Sequence, residues 1–212
     1  MVQPKEQISE LCAHFYKQGW VSGTGGGISI REGDRIYMAP SGVEKEKIRA
    51  DEIFTLDLNG EIIERPANPA LKLSECAPLF LAAYELRQAG AVLHSHSLPV
   101  MLATKMARQE GATAVLEWTE LEMLKGVSDY GYYDTFQLPV IENTARECDL
   151  TAELRRAIIA FPRTPAVAVR NHGIYVWGPT VSRAKTQAEC IDYLCQAKLL
   201  MRQYALESPA YV

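Results

Sequence analysis

Two pairs of short alternating segments, each closed by a tight turn, narrow the folds open to this chain more than any other feature. Residues 27–31 and 35–39 alternate around Gly33-Asp34, and residues 53–57 and 61–63 flank Asn59-Gly60. Asn-Gly between such runs predicts a type I′ hairpin turn. Hairpins join antiparallel strands, because parallel neighbours need a long crossover. A purely parallel, doubly wound sheet is thereby excluded.

Helical spacing fills much of the rest. Ile8, Leu11, Cys12 and Phe15 share one face of a helix expected over residues 5–18, with Gly19 suited to end it. Further helices are expected over residues 74–88, from Ser97 to near Gly111, over 119–125, over 151–161 and from Thr180 to about Leu206. Buried strands are expected at 91–96, 138–141, 166–170 and 173–177. An antiparallel-rich sheet with five or six helices implies an α/β fold, a three-layer α/β/α arrangement around a mixed, largely antiparallel sheet. No repeat or linker interrupts the chain, so residues 1–212 read as a single domain.

Composition removes several function classes. Lys and Arg number 22 against 26 Asp and Glu, a net charge of −4, and the basic residues are scattered. A nucleic-acid partner is therefore not expected. No apolar run approaches the ~18–20 residues of a membrane helix, so no membrane partner is expected. Residues 1–11 carry Lys5, Glu6 and Glu10 and do not resemble a secretory signal. The five cysteines are odd in number and form no C-x-x-C, which points to a reducing, cytoplasmic setting.

Chemistry concentrates in three places. His94 and His96 sit two apart on an expected strand, so both imidazoles point to one side. His172 follows another strand and precedes Gly173. Three neutral histidines form a normal zinc set, although His-x-His also describes two packed core histidines. His14 lies mid-helix and reads as structural. The run 22–27, Ser-Gly-Thr-Gly-Gly-Gly, can aim backbone N–H groups at a phosphate, or simply be a flexible turn. Ser41-Gly42 and the helix start at Ser74 offer further donors, while Lys45 and Lys72 are equally compatible with solvated side chains. Of the carboxylates, Glu75 is explained by a helix first turn and Glu122 by a helix surface.

Taken in order, residues 24–29 (Thr-Gly-Gly-Gly-Ile-Ser), 39–43 (Ala-Pro-Ser-Gly-Val), 73–76 (Leu-Ser-Glu-Cys), 94–96 (His-Ser-His) and 171–173 (Asn-His-Gly) resemble the class II aldolase/adducin family. Residues 122–126, 141–144 and 172–178 are similar to the family's dehydratases, which act on a methylthio-substituted ketose 1-phosphate in methionine salvage. The resemblance implies one Zn2+ per subunit on His94, His96 and His172, and Glu122 as acid and base. It implies substrate contacts from Cys76, Gly25, Gly26, Ser41, Gly42 and Ser74. It also implies a homotetramer with sites between subunits. Tyr204 and Tyr211 lie near the C-terminus, from which a side chain could reach a neighbouring site, but nothing in the sequence decides that. Gly27 and Leu73 stand where the family's aldolases carry Asn and Ser, but Glu75 stands at their catalytic glutamate and is kept as a second candidate. A zinc aldolase or epimerase on another sugar phosphate, and a non-enzymatic adducin-like interaction module, are the competing readings.

Overall fold

The computed structural model describes residues 3–206. Helix α1 (Pro4–Lys17) opens it, and Gly19, at φ +74°, turns the chain after the helix. Strands β1 (Gly27–Glu32) and β2 (Arg35–Met38) form the first expected hairpin. β3 (Pro40–Ser41) leads through two short 3-10 turns to the second hairpin, β4 (Phe54–Leu56) and β5 (Ile62–Glu64). Its turn is not the expected type I′. The Gly60 N–H donates to the Asp57 carbonyl, and of the Asn59-Gly60 pair only Gly60 has a positive φ. The Asp57 side chain accepts from the Asn59 and Glu61 amides and holds this wider loop, so a local carboxylate overrides the two-residue turn.

β6 (Lys72–Leu73) pairs with β3, opposing Ser41 to Lys72 and Pro40 to Leu73. Helix α2 (Ala77–Arg87) begins later than expected, because residues 74–76 form a turn in which the Ser74 hydroxyl accepts from the Cys76 amide. β7 (Ala91–Ser95) follows, with His96 just beyond its end. The Ser97 hydroxyl caps α3 (Leu98–Ala103) by accepting from the Val100 amide. This helix stops well short of Gly111. In place of its second half, β8 (Arg108–Glu110) and β9 (Thr113–Trp118) form a hairpin turning at Gly111, φ +60°. Residues 108–110 are drawn out of the helix by pairing with β9, whose Thr113, Val115 and Trp118 suit a sheet.

The expected helix over 119–125 is a 3-10 turn at Glu122–Gly126. β10 (Phe136–Ile141), α4 (Thr151–Ala160), β11 (Ala166–Val169), β12 (Gly173–Gly178) and α5 (Val181–Gln203) complete the chain, with Thr180 capping α5. Tyr204 is exposed beyond α5, and Tyr211 lies outside the described residues.

Ten strands form one sheet in the order β5-β4-β2-β1-β7-β12-β11-β10-β9-β8. Among the described strands only β10 and β11 run parallel. Apolar side chains alternate between two cores. Ala91 and Leu93 face α1, α3 and α5, whereas Val92, Tyr175 and Trp177 face α2 and α4. The outermost strands are short: β5 is half exposed and β8 is fully exposed and polar.

Candidate metal centre

β7 is antiparallel to β12, and β12 is antiparallel to β11. The end of β7, the start of β12 and the ends of β10 and β11 therefore meet at one end of the sheet. His94, on β7, is completely buried, and its ring stacks on Tyr175 at a centroid distance of 4.1 Å. Its Nδ1 lies 3.1 Å from the Ile174 carbonyl, so Nδ1 carries the proton and Nε2 keeps its lone pair for a ligand bond. His172 is oriented in the same way by Asn143 Oδ1, 3.2 Å from Nδ1. This gives a physical role to residue 143 of the motif at 141–144. His96 is fixed through its backbone, whose N–H donates to the Trp20 carbonyl at 2.7 Å.

The three expected ligands are brought together, and a fourth group that sequence reading missed joins them. His96 Nε2 is 3.0 Å from His94 Nε2 and 3.0 Å from His172 Nε2. Glu147 Oε1 closes the ring, 3.0 Å from His94 Nε2 and 3.2 Å from His172 Nε2. A point inside a ring with such sides lies about 2 Å from each donor, the length of zinc–imidazole and zinc–carboxylate bonds. Lone pairs and a carboxylate aimed at one point repel unless a cation stands between them, so the donor set fits a divalent metal. Burial and the two neighbouring imidazoles push the His96 pKa down to about 3, which keeps its ring neutral and able to ligate.

Glu147 has no spacing signal in the sequence. It lies in a short 3-10 turn before α4, and only the topology carries that turn to the ligand end. Its second oxygen accepts from the thiol of Cys76 at 3.0 Å. Cys76 is thus buried beside the cluster, and burial followed by the Glu147 charge raises its pKa strongly.

The glycine run lies against the same histidines. A Cβ on Gly25 would come within 2.6 Å of His96 Cε1, and one on Gly26, at φ +71°, within 2.9 Å of the His94 carbonyl. Only glycine allows this approach. A Cβ on Gly27 would lie 3.8 Å from the Ser74 hydroxyl, and the β3–β6 pair sets Ser41 beside Lys72, two residues before Ser74. Gly25, Gly26, Ser41, Gly42 and Ser74 therefore surround one region. Lys72 is exposed, but Lys45 is buried rather than solvated.

The two catalytic candidates are placed differently. Glu75 is exposed in the turn between Ser74 and Cys76, at the ligand end. Glu122 is 73% exposed and pairs with Lys125 at 2.9 Å. It follows β9, whose Trp118 opposes Phe136 at the start of β10, so it lies at the end of the sheet opposite the histidines. Among the described residues, no helix is long and apolar enough to cross a membrane.

The family described as Class II Aldolase and Adducin N-terminal domain matches residues 6–199. Among solved structures, L-fuculose 1-phosphate aldolase superposes with a TM-score of 0.77 at 18% identity, covering 96% of this chain and 89% of that one. The Thermus thermophilus L-fuculose-1-phosphate aldolase gives 0.73 at 19% identity, covering 97% and 98%. These two share the fold, including the three layers and the mixed sheet. Methylthioribulose-1-phosphate dehydratase of Xenopus tropicalis is 45% identical over 98% of this chain and 88% of its own length. That of Gallus gallus is 46% identical over 97% and 86%. A probable bifunctional methylthioribulose-1-phosphate dehydratase/enolase-phosphatase E1 of Arabidopsis thaliana is 45% identical over 95% of this chain, which spans 42% of that longer protein. Identity of this order along nearly the whole chain, with the ligand cluster assembled at the sheet end, places the chain in the class II aldolase/adducin family, among the methylthioribulose-1-phosphate dehydratases.

Proposed function

We propose that the protein removes water from 5-methylthioribulose 1-phosphate to give 2,3-diketo-5-methylthiopentyl 1-phosphate, a step of methionine salvage. One observation carries this reading: a ring of three imidazoles and a carboxylate in a chain 45–46% identical to relatives named for that dehydration. His94, His96 and His172 would hold one Zn2+ per subunit, since neutral imidazoles suit zinc. When bound, the divalent ion supplies the Lewis acidity that makes the proton on C3, beside the C2 ketone, removable.

The chain's own residues orient substrate and move protons. The turns around Gly25, Gly26, Ser41, Gly42 and Ser74 would receive the phosphate and fix C3 and C4 in the site. Glu147 and Cys76 border the space where the C2 and C3 oxygens must enter. Catalytic metal sites keep a position open, and Glu147, the carboxylate of the cluster, would be the group to vacate it. A carboxyl group must then take the C3 proton and assist departure of the C4 hydroxyl. We assign that role to Glu122. Because Glu122 lies at the wrong end of its own sheet, it would act in the site of a second copy. The assignment requires sites between subunits, as a homotetramer would provide. The five free thiols suit the reducing cytoplasm.

Aldol cleavage is the second reading, favoured by the position of Glu75 beside Ser74 and Cys76. Incubation of the zinc-loaded protein with 5-methylthioribulose 1-phosphate, followed by NMR, separates the two. The diketone is the expected product. Dihydroxyacetone phosphate from C3–C4 cleavage would establish an aldolase and move the proton-transfer role to Glu75.

A further inference from the structure

Lys45 is the charged side chain that this mechanism leaves unused. It is 1% exposed and is the only buried lysine among the described residues. Its Nζ donates to the Thr24 carbonyl at 2.8 Å and to the Val43 carbonyl at 3.3 Å. Thr24 belongs to the glycine run against His96, and Val43 directly follows Ser41-Gly42. One ammonium group thus ties together the two turns assigned to the phosphate.

That ammonium forms no ion pair among the described residues. Burial pulls its pKa down, opposed by the neighbouring Cys12 and Cys76 and then by Glu147; burial raises both thiols, so at neutral pH they keep their protons and bring no counter-charge. Both Glu147 oxygens are already engaged, one by His94 and His172, the other by Cys76. A buried cation costs several kcal/mol unless a counter-charge completes its surroundings. Two carbonyl dipoles compensate part of that cost. A staple between two loops requires only a neutral donor, so the charge itself calls for an anion.

We infer that Lys45 is the positioning cation of the phosphate site, holding the turns at 22–27 and 40–43 at the spacing that admits a phosphate dianion and supplying the charge that the dianion meets. The inference rests on the reading of these turns as phosphate-binding.

The test uses zinc-loaded protein and two readouts, the dissociation constant of inorganic phosphate by calorimetry and the split between KM and kcat. Lys45→Met should raise both the phosphate dissociation constant and KM by about 30-fold, the scale for truncating one partner of a desolvated charge contact. Its kcat and zinc content should change far less. Lys45→Gln, which keeps a donor without the charge, should behave like Lys45→Met, and Lys45→Arg should stay near wild type. Unchanged phosphate affinity in Lys45→Met, or recovery in Lys45→Gln, would overturn the inference. Should Lys45→Met fail to fold, 15N-lysine labelling of the unmutated protein provides the reading. The slowly exchanging Lys45 ammonium signal should shift when phosphate is added, and its indifference would count against the proposal. Wild type that binds phosphate through Lys45 yet leaves 5-methylthioribulose 1-phosphate intact would remove the proposed substrate and keep the inference. Wild type that dehydrates the substrate with no dependence on Lys45 would do the reverse.

Discussion

Glu147 Oε1 lies 3.0 Å from His94 Nε2, although 53 residues separate the two in sequence. The contact makes a carboxylate part of what three histidines alone would have formed. Glu147→Gln should therefore weaken metal binding on the order of 10–100-fold, measured by competition with a chelator. The cobalt-substituted protein should also change its visible absorption, since one charged oxygen donor is lost. Equal affinity and an equal spectrum would remove Glu147 from the coordination shell.

Glu122 and the histidines occupy opposite ends of one sheet. Glu122→Gln should lower kcat by about 10²–10⁴, the usual contribution of an acid–base group. Glu122→Gln mixed with His96→Ala, under conditions that exchange subunits, should regain activity, because some sites then combine an intact cluster with an intact Glu122. Two inactive partners that stay inactive after exchange would place the working carboxyl within a single chain.

The histidines were legible because they stand on a buried strand and at a strand end, where periodicity fixes direction. Glu147 was not, because its turn is positioned by the parallel β10–β11 pair and by α4, both long-range features. The hairpin of β8 and β9 was hidden for a related reason. Pro99 and the Ser97 cap announce a helix but carry no information about its length, and Gly111 suits a helix end as well as a hairpin turn. Lys45 shows the same limit, since nothing local distinguishes a lysine under a loop from one in water.

Gly25 faces the His96 ring too closely for any side chain. Gly25→Ala should displace that ring and cut metal affinity by about tenfold or more, while the melting temperature of the metal-free protein changes little. A variant that binds metal normally would show that the loop yields instead of the ring.

Cys12 is pushed up to about 12 by burial, from an ordinary value of 9.0. Burial also raises Cys195 and Tyr84. The folded chain keeps protons on these groups that the unfolded chain releases, so their contribution is complete below about pH 9 and is lost as pH climbs beyond it. Lys45, lowered by burial, offsets part of the effect. Melting temperature should hold through neutrality and decline above pH 9, and Tyr84→Phe should make the decline shallower. A melting temperature level to pH 11 would contradict this balance.

Cys148 is the one cysteine that is not buried. Native protein should release about one equivalent of thiolate quickly with a disulfide reagent, and all five cysteines should react after denaturation. Cys148→Ser should abolish the fast phase; its persistence would show that a buried thiol opens readily.

The ten-stranded sheet ends in β5 and β8, each three residues long, and β8 is formed by Arg108, Gln109 and Glu110. Strands this short offer few free backbone groups, and β8 surrounds its own with charge, which discourages another sheet from zipping on. Open-ended stacking of sheets is therefore disfavoured at both edges, and any assembly of copies would have to dock through helices and loops, a mode that can close on itself at a fixed number of subunits.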